Sequence, residues 1–295
     1  MLARLVPAPL VRWFARPYVA GASLEAGLAV ARKASEEGLL TTLDLLGEDV
    51  TTSAQVDANV AVYRRTIDAL AALPAAMRPS VSLKPSAFTT RDPGGVVGPI
   101  ESLAALARER GVALTIDMEG HRWTDLTLDL ALDLYGRGFD VGTVLQTRLY
   151  RTADDLRRIP RGMRLRLVIG IYRESSRIAM VEKPAMKRAM LDAARFLVAR
   201  DVHVEFATHD VACVETFARE IAPRAPRSSE VQMLLGVPRK ALQRRLVSGE
   251  YGVCIPVRLY VPFAIGWRDA TAYLRRRMAE SPNVTWLVLR NLFSR

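Results

Sequence analysis

Cysteine is nearly absent: Cys213 and Cys254 are the only two in 295 residues. Two thiols cannot build a disulfide framework or a four-thiolate zinc site, and they suit a reducing compartment. No run of about 18 uncharged apolar residues occurs, so a membrane-spanning helix is not expected. Aromatic residues make up only 7% of the chain, and no basic run is interleaved with them. A single-strand nucleic-acid binder would need that pattern. No G-x-G-x-x-G joins a strand to a helix, which disfavours a Rossmann-type dinucleotide domain. The nearest approach, Gly94-Gly95-x-x-Gly98 after Pro93, reads as a flexible polar turn without a dinucleotide-type helix behind it. No serine/proline-rich linker or low-complexity tract divides the chain.

What is present is apolar and basic. Half of the residues are hydrophobic, far too many for a disordered chain of this length. The formal net charge is +11, yet only Lys33, Lys84, Lys183, Lys187 and Lys240 are lysine; the remaining 37 of the 42 basic residues are arginine. Scattered arginines beside abundant Ala, Leu and Val read as the habit of a GC-rich coding sequence, and no nucleic-acid partner is expected. Met1–Ala20 is apolar with arginines at 4, 12 and 16, and Pro7, Pro9 and Arg12 interrupt it. It lacks the continuous core of a signal peptide. It reads as an amphipathic element docking on the body, with contact to a membrane surface as the alternative, given Trp13 and Phe14.

Short β-branched or apolar runs alternate with helix-length stretches. The candidate strands are Leu39–Leu45, Ser80–Leu83, Ala113–Asp117, Gly142–Gln146, Arg164–Gly170, His203–Thr208, Glu230–Leu235 and Val253–Tyr260. Between them lie Val56–Leu73, Ile100–Arg110, Asp125–Tyr135, Ala185–Ala199, Val211–Ile221 and Arg239–Val247. Strand–helix alternation implies right-handed βαβ units and a parallel sheet. Eight such units in this length predict an α/β fold of the (β/α)8 TIM-barrel type. Pro223–Pro226 is a loop before the seventh strand rather than a domain boundary.

Chemistry in such a barrel sits at the C-terminal strand ends. Here these ends carry Asp44 and Glu48, Lys84, Asp117 and Glu119, Gln146, Arg166, Thr208-His209-Asp210, Glu230 and Gln232, and Tyr260. Lys84 follows Val-Ser-Leu directly and admits three readings. It is a solvated lysine, a Schiff-base amine with a pKa lowered by burial, or a cationic anchor for a carboxylate. Asp117, at the next strand end, is expected to keep it protonated, which favours the anchor. Near the end of the chain Tyr273, Arg276, Arg277 and Glu280 recur at i, i+3, i+4 and i+7, one face of a helix. Two adjacent arginines can fork a carboxylate, with Tyr260 and Tyr273 enclosing an apolar body. An exposed arginine-rich helix with an Arg276–Glu280 pair fits the spacing equally well.

Arg258-Leu-Tyr260-Val-Pro262-Phe, followed by Tyr273-Leu-Arg-Arg276-Arg277-Met-Ala-Glu280, strongly resembles the closing motif of the proline dehydrogenases. Seven further pieces agree in order: Asp44-Leu-Leu-Gly-Glu48, Ser82-Leu-Lys84-Pro, Ile116-Asp117-Met-Glu119, Leu145-Gln146, Arg166-Leu-Val-x-Gly170-x-Tyr172, Ala207-Thr208-His209 and Glu230-Val-Gln232-Met-Leu234. Each piece is weak; together, in the family's order on successive strands, they are specific. The resemblance spans roughly residues 39 to 280.

The resemblance implies one barrel domain: an N-terminal helical segment at 1–37, the barrel at 38–282 with its final helix over the active site, and a tail at 283–295. It implies FAD as cofactor and oxidation of L-proline to 1-pyrroline-5-carboxylate by hydride transfer from C5. Lys84, Arg276 and Arg277 resemble the carboxylate anchors. Leu234, Tyr260 and Tyr273 resemble the walls around the proline ring. Asp117 resembles the buried partner that orients the site, and Glu48 the gate that pairs with Arg276 on closure. Gln146, Arg166, Gly170, Thr208, His209, Glu230 and Gln232 resemble the flavin contacts. The chain departs from the family pattern at Ile169, where lysine is usual, and at Ala264-Ile265.

Electrons are expected to pass to a quinone-type acceptor, and the next oxidation to belong to a separate pyrroline-5-carboxylate dehydrogenase. A cytoplasmic protein, peripheral at the inner face of the membrane, is the matching location. The competing readings are an aldolase-like barrel with Lys84 as Schiff base, and a non-enzymatic basic binding protein.

Overall fold

Strict alternation along the strand sequences decides how the sheet closes. A strand that presents leucine, valine or isoleucine at every second residue has one apolar face, and that face must be covered. In a computed structural model, which describes residues 17–48, 50–266 and 271, eight parallel strands close into one barrel in chain order. The strands are β1 (Leu40–Leu45), β2 (Ser80–Leu83), β3 (Leu114–Ile116), β4 (Val141–Gln146), β5 (Arg164–Val168), β6 (His203–Ala207), β7 (Ser229–Leu234) and β8 (Val257–Phe263). The helices among the described residues are α1 (Leu24–Glu36), α2 (Ser53–Ala71), α3 (Val97–Arg110), α4 (Thr124–Gly136), α5 (Thr152–Arg158), α6 (Lys183–Val198), α7 (Val211–Thr216) and α8 (Lys240–Val247).

The apolar positions Leu43, Val81, Leu114, Leu165, Val204, Val231 and Val257 face the helices and form one continuous core with them. The alternate positions face inward. Barrels of this type usually fill their interior with branched apolar side chains. Here the interior is polar and buried: Thr42 bonds Ser80, and Ser82, Glu205, Glu230 and Arg258 join hydrogen-bonded chains across the barrel.

The seam between β8 and β1 is covered by α1, which precedes the barrel. Gly27 of this helix faces the Phe263 side chain. Ser23 caps its first turn by accepting the Ala26 N–H at 3.3 Å. The next helix start is also coded locally: Thr52 and Gln55 form a reciprocal capping box at α2.

Three sequence expectations shift. The last strand is Val257–Phe263, not Val253–Tyr260. Gly252, at φ +93°, turns the chain, and Pro256 has no N–H to donate, so residues 253–256 only lead into the ladder. The fifth strand stops at Val168 instead of Gly170, because Gly170 has φ +107°, outside strand geometry. The turn at Gly94-Gly95 does run into a helix, α3. The Asp92 carboxylate already accepts the Gly94 N–H at 3.0 Å, so the turn is closed by its own side chain. Helix α5, absent from the sequence reading, is too short to show a period. Among the described residues no helix is long and apolar enough to cross a membrane.

Candidate active site

The inward positions at the C-terminal strand ends surround a cavity of about 390 Å³. This is the size range of small-molecule sites. Lys84, Asp117, Gln146, Arg166, Gly170, Thr208, His209, Gln232, Leu234 and Tyr260, dispersed over seven segments of sequence, all line it. Apolar walls come from β4, β5 and β7, through Val144, Val168 and Met233.

Asp117 is the hub. Its Oδ1 accepts from Arg166 Nη1 at 2.6 Å and from Ser82 Oγ at 3.0 Å, and its Oδ2 accepts from the Tyr260 hydroxyl at 2.6 Å. Three donors from β2, β5 and β8 therefore fix one carboxylate. The Tyr260 ring lies 5.1 Å from the Arg166 guanidinium and 5.9 Å from the Lys84 ammonium. Both contacts fall within cation–π range. Burial and the adjacent Asp117 push the tyrosine hydroxyl well above its ordinary pKa, so it stays protonated and donates.

Lys84 is not held by Asp117, as its sequence neighbourhood suggested. Its Nζ is hydrogen-bonded to Asp44 Oδ1, with Glu48 Oε2 at 3.7 Å and the Tyr260 hydroxyl at 3.4 Å. Parallel register explains the change of partner: Asp44 stands opposite Ser82, one inward step below Lys84 on β2, whereas Asp117 turns to Arg166 across the barrel. Burial works against the ammonium, but Asp44 foremost among its neighbours outweighs it, and the Lys84 pKa stands well above normal. Burial pushes Asp44 the other way, up to about 6, opposed by Lys84 and reinforced by Asp117 and Glu48.

Beneath the cavity the network continues. Arg166 Nε lies 3.5 Å from Glu205, and Gln232 Nε2 donates to Glu205 at 2.6 Å and to Glu230 at 2.7 Å. Glu230 is held by Arg258 at 2.8 and 3.0 Å. Glu230 thus belongs to the layer below the cavity and does not line it, and Arg258 with its neighbours holds its carboxyl far below the usual range despite burial. Glu205 went unnoticed in the sequence. The signal was there in the alternation of His203-Val-Glu205-Phe, which puts a carboxylate on the inward face of β6.

His209 accepts the Leu234 N–H at Nε2, 2.8 Å away. Burial, with Arg239 nearby, lowers its pKa to about 4. The imidazole is therefore neutral and carries its proton on Nδ1. Gln146 donates from Nε2 to the Glu119 carbonyl at 2.9 Å. Its Oε1, and Nη2 of Arg166, are buried without a hydrogen-bond partner among the described residues. Gly170 closes against Gln146, and a Cβ there would lie 2.6 Å from Oε1. A buried acceptor and a buried donor left unpaired at the wall of a mainly apolar cavity, beside a backbone without a side chain, fit a planar polar-edged group such as a flavin. Tyr273, Arg276 and Arg277 lie outside the described residues.

The family profile described as proline dehydrogenase matches residues 28–285. "Proline dehydrogenase" of Deinococcus radiodurans is 30% identical over 292 residues, covering 94% of this chain and 89% of its own. "Proline dehydrogenase 1" of Bacillus subtilis (strain 168) is 27% identical over 285 residues, 95% of this chain and 91% of its own. Among solved structures, proline utilization A from Bdellovibrio bacteriovorus, inactivated by N-propargylglycine, superposes with a TM-score of 0.76 over 90% of this chain at 20% identity. This chain spans 32% of that longer protein.

Proposed function

Since the chain belongs to the proline dehydrogenase family, we propose that it oxidises L-proline to 1-pyrroline-5-carboxylate with FAD, and that the cavity at the strand ends is where it does so. The observation that carries this reading is the convergence of Lys84, Asp117, Tyr260, Arg166 and Gln146 on one cavity, with buried polar atoms of Arg166 and Gln146 unmatched among the described residues. Bound FAD supplies a two-electron acceptor for the hydride that leaves C5 of the ring. In the free-amine form of proline the nitrogen lone pair would form the C=N bond as that hydride leaves, and the resulting iminium would release its N–H proton to solvent.

The chain's own residues bind and orient. Arg166 Nη2 and Gln146 Oε1 would hold the flavin's polar edge, with Gly170 clearing space beside them. Tyr260 and Leu234 wall the ring, and the Asp117–Arg166 pair fixes the Tyr260 hydroxyl. Lys84 enters already neutralised by Asp44, so it orients a substrate carboxylate while Arg276 and Arg277 would add further positive charge. Fixing the ring against its acceptor can supply ~7–11 kcal/mol of a barrier in favourable cases. Electrons then leave to a quinone-type acceptor, and a pyrroline-5-carboxylate dehydrogenase takes the product onward. A Schiff-base role for Lys84 needs a neutral amine, and two flanking carboxylates oppose it.

The test is the absorption spectrum. The purified protein, supplied with FAD, is expected to be yellow and to bleach anaerobically on addition of L-proline. A protein that remains colourless with excess FAD, or a bound flavin that proline fails to reduce, would overturn the reading.

A further inference from the structure

Tyr18 precedes the barrel by more than twenty residues in sequence, yet it is buried, 4% exposed, and lines the same cavity as Leu234 and Tyr260. It arrives on a strap, residues 17–22, that is bound along the end of β8. The Ala20 N–H donates to the Pro262 carbonyl at 2.8 Å, the Ala264 N–H to Gly21 at 3.0 Å, and the Gly266 N–H to Ala22 at 3.0 Å. On the other side the Pro17 carbonyl rests on Gly236, in the turn after β7. Gly236 has φ +80°, and a Cβ there would run into that carbonyl. The strap therefore bridges the ends of β7 and β8, the two strands that present Leu234 and Tyr260.

We propose that Tyr18 is a specificity-determining wall of the substrate cavity, its ring bounding the β7–β8 side and setting the size of cyclic amino acid that fits. The inference rests on the proline-oxidation reading and deepens it. The physical grounds are position and stiffness. An aromatic ring on two torsions, carried by a segment pinned at both edges, yields little to a larger ligand. The tetrahedral ring carbons of proline offer no planar face and few polar atoms, so shape alone must separate a five-membered from a six-membered ring. One methylene is worth about ten- to two-hundredfold in such a pocket.

The experiment compares parent holoenzyme with Tyr18→Ala, Tyr18→Phe and Gly236→Ala. Each is assayed on proline and on its six-membered homologue, piperidine-2-carboxylate. Binding of the proline isostere with ring oxygen in place of nitrogen, which cannot be oxidised, is followed by calorimetry. Tyr18→Ala is expected to weaken isostere binding about tenfold and to shift the proline-to-homologue ratio of kcat/KM about tenfold toward the larger ring. Tyr18→Phe should stay close to the parent, and Gly236→Ala, which displaces the strap without touching Tyr18, should move in the direction of Tyr18→Ala. If Tyr18→Ala does not fold, Tyr18→Leu, which keeps apolar burial without a ring, carries the same expectation. An unchanged ratio and unchanged isostere binding in the folded variant overturn the proposal, as does loss of FAD with the ratio intact. A parent that fails to oxidise proline at all points instead to the functional reading.

Discussion

Replacing Lys84 with methionine keeps most of the length of the side chain and removes the cation that, among the described residues, lies between Asp44 and Glu48. Breaking a buried ion pair by deleting one partner typically costs ~3–5 kcal/mol. Asp44 escapes part of that cost. Its pKa is already pushed up to about 6 with Lys84 in place; without the ammonium it rises further, and the carboxyl takes up a proton instead of standing as an unpaired buried charge. A carboxyl whose folded pKa exceeds its unfolded value favours the folded state at low pH, and that contribution is lost as pH rises toward the folded pKa. Above about pH 6 the folded variant holds one proton that both the folded parent and the unfolded chain have released. The stability gap between variant and parent should therefore be smallest near pH 6 and widen by about 1.4 kcal/mol for each unit above it. Urea unfolding of both proteins, stripped of flavin, at pH 6, 7 and 8 reads this directly. Adding Asp44→Asn to the Lys84→Met protein should flatten the slope and recover most of the loss. A gap that does not change with pH, or a double variant no more stable than the single one, would refute the coupling.

Asp117→Asn removes the negative charge 2.6 Å from Arg166 and leaves that buried guanidinium with the Glu205 carboxylate at 3.5 Å; a loss of ~3–5 kcal/mol is expected, and an unmoved urea midpoint would contradict it. Gly170→Ala forces a Cβ onto a backbone at φ +107° and to 2.6 Å from Gln146 Oε1. It should cost ~1–3 kcal/mol and lower the FAD bound per protein, whereas full loading at the parent's Tm would sink the cradle argument. Arg276→Ala and Arg277→Ala should each raise KM for proline roughly ten- to a hundredfold, the equivalent of ~1.5–3 kcal/mol, at unchanged flavin content. Parental kinetics would return both arginines to an exposed helix face.

Strand count, order and parallel direction were legible in the chain because they depend on local period and on the spacing of apolar runs. These are properties of each segment alone. The strand-end positions that line the cavity were legible for the same reason: a barrel brings its inward strand ends together whatever the loops do. Partner choice was not. Asp44, Asp117 and Glu119 all stand one or two strands from Lys84, and only the register of β1 against β2 and the reach of Arg166 across the barrel assign Asp44 to Lys84 and Asp117 to Arg166. Glu230 shares its strand face with Gln232 and Leu234 but stands one inward step earlier, a layer lower, where Arg258 from β8 holds it. Nor could sequence place Tyr18 in the cavity, since the strap that carries it is held by backbone hydrogen bonds to β8, more than two hundred residues away. Period and motif act within a segment; pairing, depth and the closing of one segment over another depend on contacts between residues far apart in the chain, and those exist only once the barrel has closed.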